Sequence, residues 1–226
     1  MNKNTISFLG CVFQVLFFVS FCSAELFILT VMSYDRYVAI CHSLHYETIM
    51  NNGACGWMVV ASYVSGGVSG AMHTAATFST TFISSKIHNF FCDIPQIILI
   101  SDSKMNINEL SVMAFGASTS LACFLFILYS YAYILSAVSR ISSLEGRSKA
   151  LSTCLPHLVV VTLFVSTAAL AYLKPASELR SDLDMILSIF YTVVPPSWNP
   201  IIYSLRNKDI KLTLGKVLGI TEYKSN

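Results

Sequence analysis

TISFLGCVFQVLFFVSFCSAELFILTVMSY, residues 5–34, is thirty residues long and carries a single charge, Glu25. A hydrocarbon core of roughly 30 Å needs about 20 helical residues, so this stretch by itself is long enough to cross a bilayer. Marking every Asp, Glu, Lys and Arg outward from it leaves four more uncharged stretches: one inside 48–85, best placed at 55–78, then 110–139, 150–173 and 185–205. A helix satisfies its own backbone hydrogen bonds in lipid, and the strict alternation of a membrane β-barrel is absent. The expected fold is therefore an all-α membrane protein. One transmembrane domain over 1–226 would hold helices at about 7–34, 55–78, 110–138, 150–173 and 185–205. The first run is too long for a signal-peptide core and lacks a small-residue cleavage pattern, so its removal is not expected.

Composition agrees. The 226 residues are 54% hydrophobic and 12% charged, against about a quarter charged in a soluble domain. A net charge of +2 is too even for a nucleic-acid binder, and 12% aromatic residues argue against disorder. Enzymatic readings fail as well. His42-x-x-His45 and Cys154-x-x-His157 each lack a second pair at metal-site spacing, and neither a Gly-rich phosphate loop nor a Gly-x-Ser-x-Gly elbow occurs. No catalytic activity, metal or cofactor is expected.

Lys and Arg prefer cytoplasmic loops. With the amino terminus outside, nine of the fourteen fall inside, among them Arg36, Arg140, Arg147, Lys149 and Arg206, and five fall outside, so the carboxy terminus is expected in the cytoplasm. This topology sorts the seven cysteines. Cys11 at the outer mouth of the first helix and Cys92 in the long outer loop both face an oxidising compartment. A bond between them would pin that loop over the bundle; otherwise they are two unrelated thiols. Cys22, Cys41, Cys55, Cys123 and Cys154 read as free, small apolar packers.

Four motifs carry a family resemblance. They are Met32-Ser33-Tyr34-Asp35-Arg36-Tyr37-Val38-Ala39-Ile40-Cys41-His42, then His88-Asn89-Phe90-Phe91-Cys92-Asp93-Ile94-Pro95, then Lys149-Ala150-Leu151-Ser152-Thr153-Cys154-Leu155-Pro156-His157, and finally Pro196-Ser197-Trp198-Asn199-Pro200-Ile201-Ile202-Tyr203-Ser204-Leu205-Arg206-Asn207. In this order and spacing the chain resembles the odorant (olfactory) receptors, a branch of the rhodopsin-like G-protein-coupled receptors. The resemblance implies a seven-helix fold of which the five helices here are the third to seventh. It leaves an amino-terminal tail, two helices and the usual glycosylation sequon unmatched. It further implies a multi-pass protein of the cell membrane that binds small hydrophobic odorants and activates a stimulatory, olfactory-type heterotrimeric G protein. The competing expectation is a truncated, non-signalling product retained in the endoplasmic reticulum, because losing two helices would expose faces built to be buried.

By the same resemblance, Asp35 restrains Arg36 at rest, and Arg36, next to Tyr37, lines the groove entered by the G-protein α-subunit. The bland alternative is an arginine that snorkels to lipid phosphate. Asn199 and Pro200 place a bend in the last helix, with Tyr203 one turn below it; the alternative is a static kink. Glu25 lies eleven residues, roughly 16 Å, from Arg36. It resembles one half of a cation site whose other carboxylate would come from an absent helix, so it is expected protonated or exposed to water. Pocket candidates by family register are Phe18, Val19, Cys22 and Ser23, then Val165, Ala168, Ala169 and Tyr172, and Thr192; apolar interior faces would look similar without a ligand. Two departures stand out. Phe164-Val165-Ser166 replaces the common Phe-Tyr-Gly, and Phe82 and Asp102 stand where many relatives hold a second cysteine pair. Beyond Arg206, residues 207–220 alternate Ile210, Leu214, Val217 and Leu218 with lysines at helical spacing, as a short helix lying on the membrane surface would.

Overall fold

The computed structural model describes residues 6–82, 92, 94–99 and 107–172. Helix α1, Phe8–Cys41, starts at Ser7, whose Oγ accepts the Gly10 N–H at 3.1 Å. Its 34 residues span about 50 Å, well beyond a hydrocarbon core, so one end must stand clear of lipid. The hydrophobic run ends at Tyr34, yet the helix continues through Asp35 and Arg36. The backbone ladder needs no apolar side chains, and no Gly or Pro interrupts 34–41. It stops at His42, whose N–H returns to Val38 O at 2.9 Å. A 3-10 turn, Ser43–His45, and a four-residue helix α2, Tyr46–Ile49, follow.

Helix α3, Asn52–Phe78, is capped by Asn51, whose Oδ1 accepts the Ala54 N–H at 2.9 Å. After the short α4, Ile94–Leu99, come α5, Ile107–Ser139, and α6, Leu144–Tyr172. Helix α6 opens six residues before its apolar run because Ser143 supplies a cap there, its Oγ accepting the Gly146 N–H at 3.2 Å. Among the described residues, Phe8–Cys41, Ile107–Ser139 and Leu144–Ser166 are long and apolar enough to cross a membrane. Several hydroxyls inside these helices turn back onto their own carbonyls, as Thr30 does to Leu26 O at 2.8 Å and Ser118 to Ala114 O at 2.7 Å, which spares those donors an unpaired exposure to lipid.

Helix α3 is long but glycine-rich, and its packing against α1 explains why. A Cβ at Gly66 would lie 2.5 Å from Ser20 O and 2.8 Å from the Ala24 Cβ. One at Gly70 would strike Ser20 Oγ and come within 2.8 Å of Leu16 O. The two glycines, four residues apart, meet the small Ser20 and Ala24, and the backbones approach as small-residue helix pairs do in lipid. Ser23 Oγ donates to Ser69 Oγ across the same seam at 3.2 Å.

Two cores result. At the Asp35 end, Leu26 and Leu29 of α1 pack with Ile127, Tyr131, Ile134 and Val138 of α5 and with Cys154, Val160, Val161 and Phe164 of α6. At the other end, Cys11, Val15 and Val19 pack with Cys92, Ile94 and Ile97. The outward surface is apolar, as a lipid-facing surface should be. Phe13, Phe17 and Phe21 stack along α1 at 6.3 Å spacings, with Val60, Val64 and Val68 exposed on α3.

Candidate functional site

The Asp35 end gathers the chemistry. Helix α1 carries Asp35 and Arg36 side by side, and Arg36 Nη2 lies 3.1 Å from Asp35 Oδ2. Their side chains stay partly open, 32% exposed for Arg36 and 19% for Asp35, so water weakens the pair and a small movement can break it. The second carboxylate oxygen is taken as well: Tyr46 of α2 donates its hydroxyl to Asp35 Oδ1 at 2.7 Å. That bond, aided by burial, pushes the Tyr46 hydroxyl above the usual tyrosine range. One carboxylate thus holds the arginine and the following loop together. Nearby, Tyr37 Oη lies 3.0 Å from His42 Nε2, with its ring edge-on to Tyr133 of α5 at 6.1 Å. Leu44 on the 3-10 turn is 95% exposed, an apolar group standing free beside this cluster.

Three helices are tied together behind the ion pair. His157 of α6 is buried, with Nε2 3.0 Å from Leu29 O on α1 and Nδ1 2.7 Å from the Tyr131 hydroxyl on α5. A carbonyl only accepts, so Nε2 carries the proton given to Leu29, and in the neutral ring Nδ1 accepts from Tyr131. The imidazole and phenol rings stack at 5.5 Å. Sequence reading placed His157 in a motif but gave it no partner. Its contact lies 128 residues away in the chain, and only the heptad-like recurrence of Tyr131, Ile134 and Val138 on one face of α5 hinted at what it meets. Tyr46 and the Gly66/Gly70 seam were likewise not singled out. A Gly-x-x-x-Gly pattern inside an apolar run was the available signal for the seam.

At the opposite end, Cys11 and Cys92 form a disulfide with Cα atoms 5.5 Å apart. The Cys92 N–H also donates to Gln14 Oε1 at 3.2 Å, fastening the loop to α1 a second time. Phe82 packs against this cluster beside Phe78, their ring centroids 6.0 Å apart. Cys22, Cys41, Cys55, Cys123 and Cys154 are free.

The pocket candidates divide. Val19 is buried in the disulfide core with Phe18 against it, while Cys22 and Val165 pack on the Asp35-end core. Ser23 is turned to α3 through its bond with Ser69. Ala169 is half-buried on α6; Ala168 and Tyr172 share that helix, with their side chains outside the described set. Thr192, Asn199, Pro200, Tyr203 and the 185–205 and 207–220 segments lie outside the described residues. Glu25 is half-buried and continues the four-residue spacing of Phe13, Phe17 and Phe21 along α1. Among the described residues, no group of three or more His, Cys, Asp or Glu is arranged to hold a metal ion.

Known proteins are similar to this chain in sequence. A family model described as olfactory receptor matches residues 1–220. Human olfactory receptor 14A16 is 52% identical over 219 residues, which cover 96% of this chain and 71% of that protein. Human olfactory receptor 14L1 is also 52% identical, over 96% of this chain and 67% of its own length. Mouse olfactory receptor 5AR1 is 46% identical over 96% of this chain and 71% of its own.

Proposed function

Because the chain belongs to the olfactory receptor family, and so to the multi-pass G-protein-coupled receptors rather than to any class of enzyme, we propose that it binds small hydrophobic odorants and activates a stimulatory, olfactory-type G protein. The observation that carries this reading is the Asp35–Arg36 ion pair at the end of α1, closed by Tyr46 and open to water. An exposed ion pair of this kind is worth about 1 kcal/mol or less, so a modest helix shift is enough to release the guanidinium. Released, Arg36 faces a G-protein helix, with Tyr37 shaping the edge of the groove and the exposed Leu44 offering apolar contact.

The proposed orientation puts Arg36, the α5–α6 turn and the carboxy terminus in the cytoplasm, and the amino terminus with the Cys11–Cys92 disulfide outside. The basic residues support it, and so does the disulfide, which needs an oxidising compartment. Five membrane crossings are proposed, α3 and the 185–205 segment included. Asn199, Pro200 and Tyr203 form the moving bend of the last helix, and residues 207–220 lie along the inner membrane surface. The odorant cavity is assigned by family register to the outer half of the bundle, with Phe18, Val19, Cys22 and Ser23 of α1, Val165, Ala168, Ala169 and Tyr172 of α6, and Thr192; Cys22 and Val165, which pack on the Asp35-end core, mark its inner limit, and Glu25 is the candidate cation ligand.

The test is expression of the 226-residue chain with an olfactory-type G protein, reading cell-surface labelling of an amino-terminal tag and cyclic AMP across a panel of hydrophobic volatiles. A dose-dependent rise that Arg36→Ala abolishes at unchanged surface level is the expected result. An equal response in R36A, or external labelling of a carboxy-terminal tag, refutes the reading.

A further inference from the structure

Helix α5 turns one stripe inward. Glu109, Gly116, Cys123, Ile127, Tyr131 and Ile134 recur along it at helical spacing, and the last three are buried in the Asp35-end core with Cys123 packed against them. Glu109 opens this stripe as the third residue of the helix. It is only 2% exposed, yet its Oε1 is buried without a hydrogen-bond partner. A bare buried acceptor weakens a fold until something arrives to pair with it.

Seven residues further on, about 10 Å along the axis, Gly116 meets α3. A Cβ there would lie 2.9 Å from His73 Nε2, so the missing side chain is what lets the imidazole rest against α5. The His73 ring is half-buried and makes no hydrogen bond among the described residues. Between these two polar ends the stripe is apolar, with Val112 and Met113 both half-buried. Thr74 Oγ1 is bare as well, but Thr74 continues the Gly66 and Gly70 row and belongs to the α1 seam.

We propose that Glu109, Val112, Met113 and His73 form a subsite for hydroxyl-bearing odorants, in which the ligand hydroxyl donates to Glu109 Oε1 and its apolar body lies along Val112 and Met113 as far as His73. The polarity of the anchor selects the class. An ionised carboxylate only accepts, and a protonated one still has more lone pairs than protons, so ketones, esters and ethers leave Oε1 bare. An ammonium donates too, but it must shed far more hydration than an alcohol to enter an apolar seam, and one carboxylate repays that only in ideal geometry. The two-turn span between Glu109 and Gly116 suits a medium-chain aliphatic alcohol. The subsite rests on the odorant-binding reading above and adds α3 and α5 to the α1 and α6 positions given there.

The experiment reconstitutes the full chain in lipid nanodiscs and irradiates it with an aliphatic primary alcohol carrying a diazirine, the label being mapped by mass spectrometry. Saturable label within 107–116, displaced at least tenfold better by octanol than by methyl octyl ether after correction for partition into lipid, is the expected result. Tenfold is the worth of one hydrogen bond to a charged group. Glu109→Leu should make the two competitors equal while the thermal midpoint holds or rises, because it removes a bare buried carboxyl and no partner. Glu109→Gln keeps an acceptor oxygen and should retain a smaller preference. Equal competition in the parent chain, a preference that survives Glu109→Leu, or a lowered midpoint in both variants overturns the subsite and leaves the receptor reading intact. Octylamine displacing the probe better than octanol overturns the ligand class. Absent label with a normal cyclic AMP response overturns the subsite alone, whereas absent label with a flat response overturns the receptor reading as well.

Discussion

Replacing His157 by Phe isolates the tie among three helices. The phenyl ring occupies nearly the volume of the imidazole, so the change removes the two polar contacts, at 2.7 and 3.0 Å, while leaving the stack on Tyr131. Leu29 O keeps its own helical partner, so the larger loss is the bond to the Tyr131 hydroxyl, in a residue only 4% exposed. A hydrogen bond between membrane helices is worth about 0.6 kcal/mol on average and up to about 2 kcal/mol. The loss of two such bonds puts the net destabilisation near 2 kcal/mol, or roughly 4–8 °C in Tm for a chain of this size. Thermal unfolding in detergent, followed by size-exclusion fluorescence, measures it. Tyr131→Phe removes one of the same two bonds, so the double variant should fall short of the sum by about 1 kcal/mol. A His157→Phe variant within about 1 °C of the parent, or strict additivity in the cycle, refutes the three-helix tie.

Other perturbations probe other contacts. Cys11→Ala together with Cys92→Ala frees a loop of 81 residues and should cost about 4 kcal/mol in the loop-entropy account, read as a lowered Tm and loss of the mobility shift on reduction. Gly70→Leu drives a side chain into Ser20 and the Leu16 carbonyl, and should destabilise by more than the roughly 1–3 kcal/mol of ordinary overpacking; the same change at Gly67, where the space is open, should be far milder. Tyr46→Phe releases one oxygen of Asp35 and should raise basal cyclic AMP without lowering surface expression. The Tyr46 hydroxyl is raised above its unfolded value, so its contribution is whole below about pH 10 and disappears as pH climbs through the folded value. Absorbance at the phenolate band, compared between parent and Y46F, should show one tyrosine titrating late.

The sequence alone determined what is set by counting and by local pattern. Uncharged runs longer than a bilayer core gave the helical class, because a helix is the one open-chain element that closes its hydrogen bonds in lipid. The position of each basic residue gave the proposed sidedness, and sidedness with two cysteines gave the disulfide pair before any coordinates. The motif around Asp35 and Arg36 marked the proposed functional end, and its ion pair was legible because adjacent residues on one helix are bound to be neighbours. Helix ends were less legible: hydropathy stops at Tyr34 and begins at Ala150, but the backbone ladder runs to Cys41 and starts at Leu144 under the control of caps.

Contacts between helices were decided only by tertiary structure. Hydropathy reports whether a residue prefers lipid or water, and inside a membrane both the buried and the lipid-facing sides of a helix prefer lipid. Nothing in the composition of α1 therefore separates the exposed Phe17 from the buried Val15, or shows that Leu29 offers its carbonyl to His157. Those choices follow from how closely two backbones can approach, which the Gly66 and Gly70 contacts with Ser20 set, and from which polar group can find a partner once water is gone.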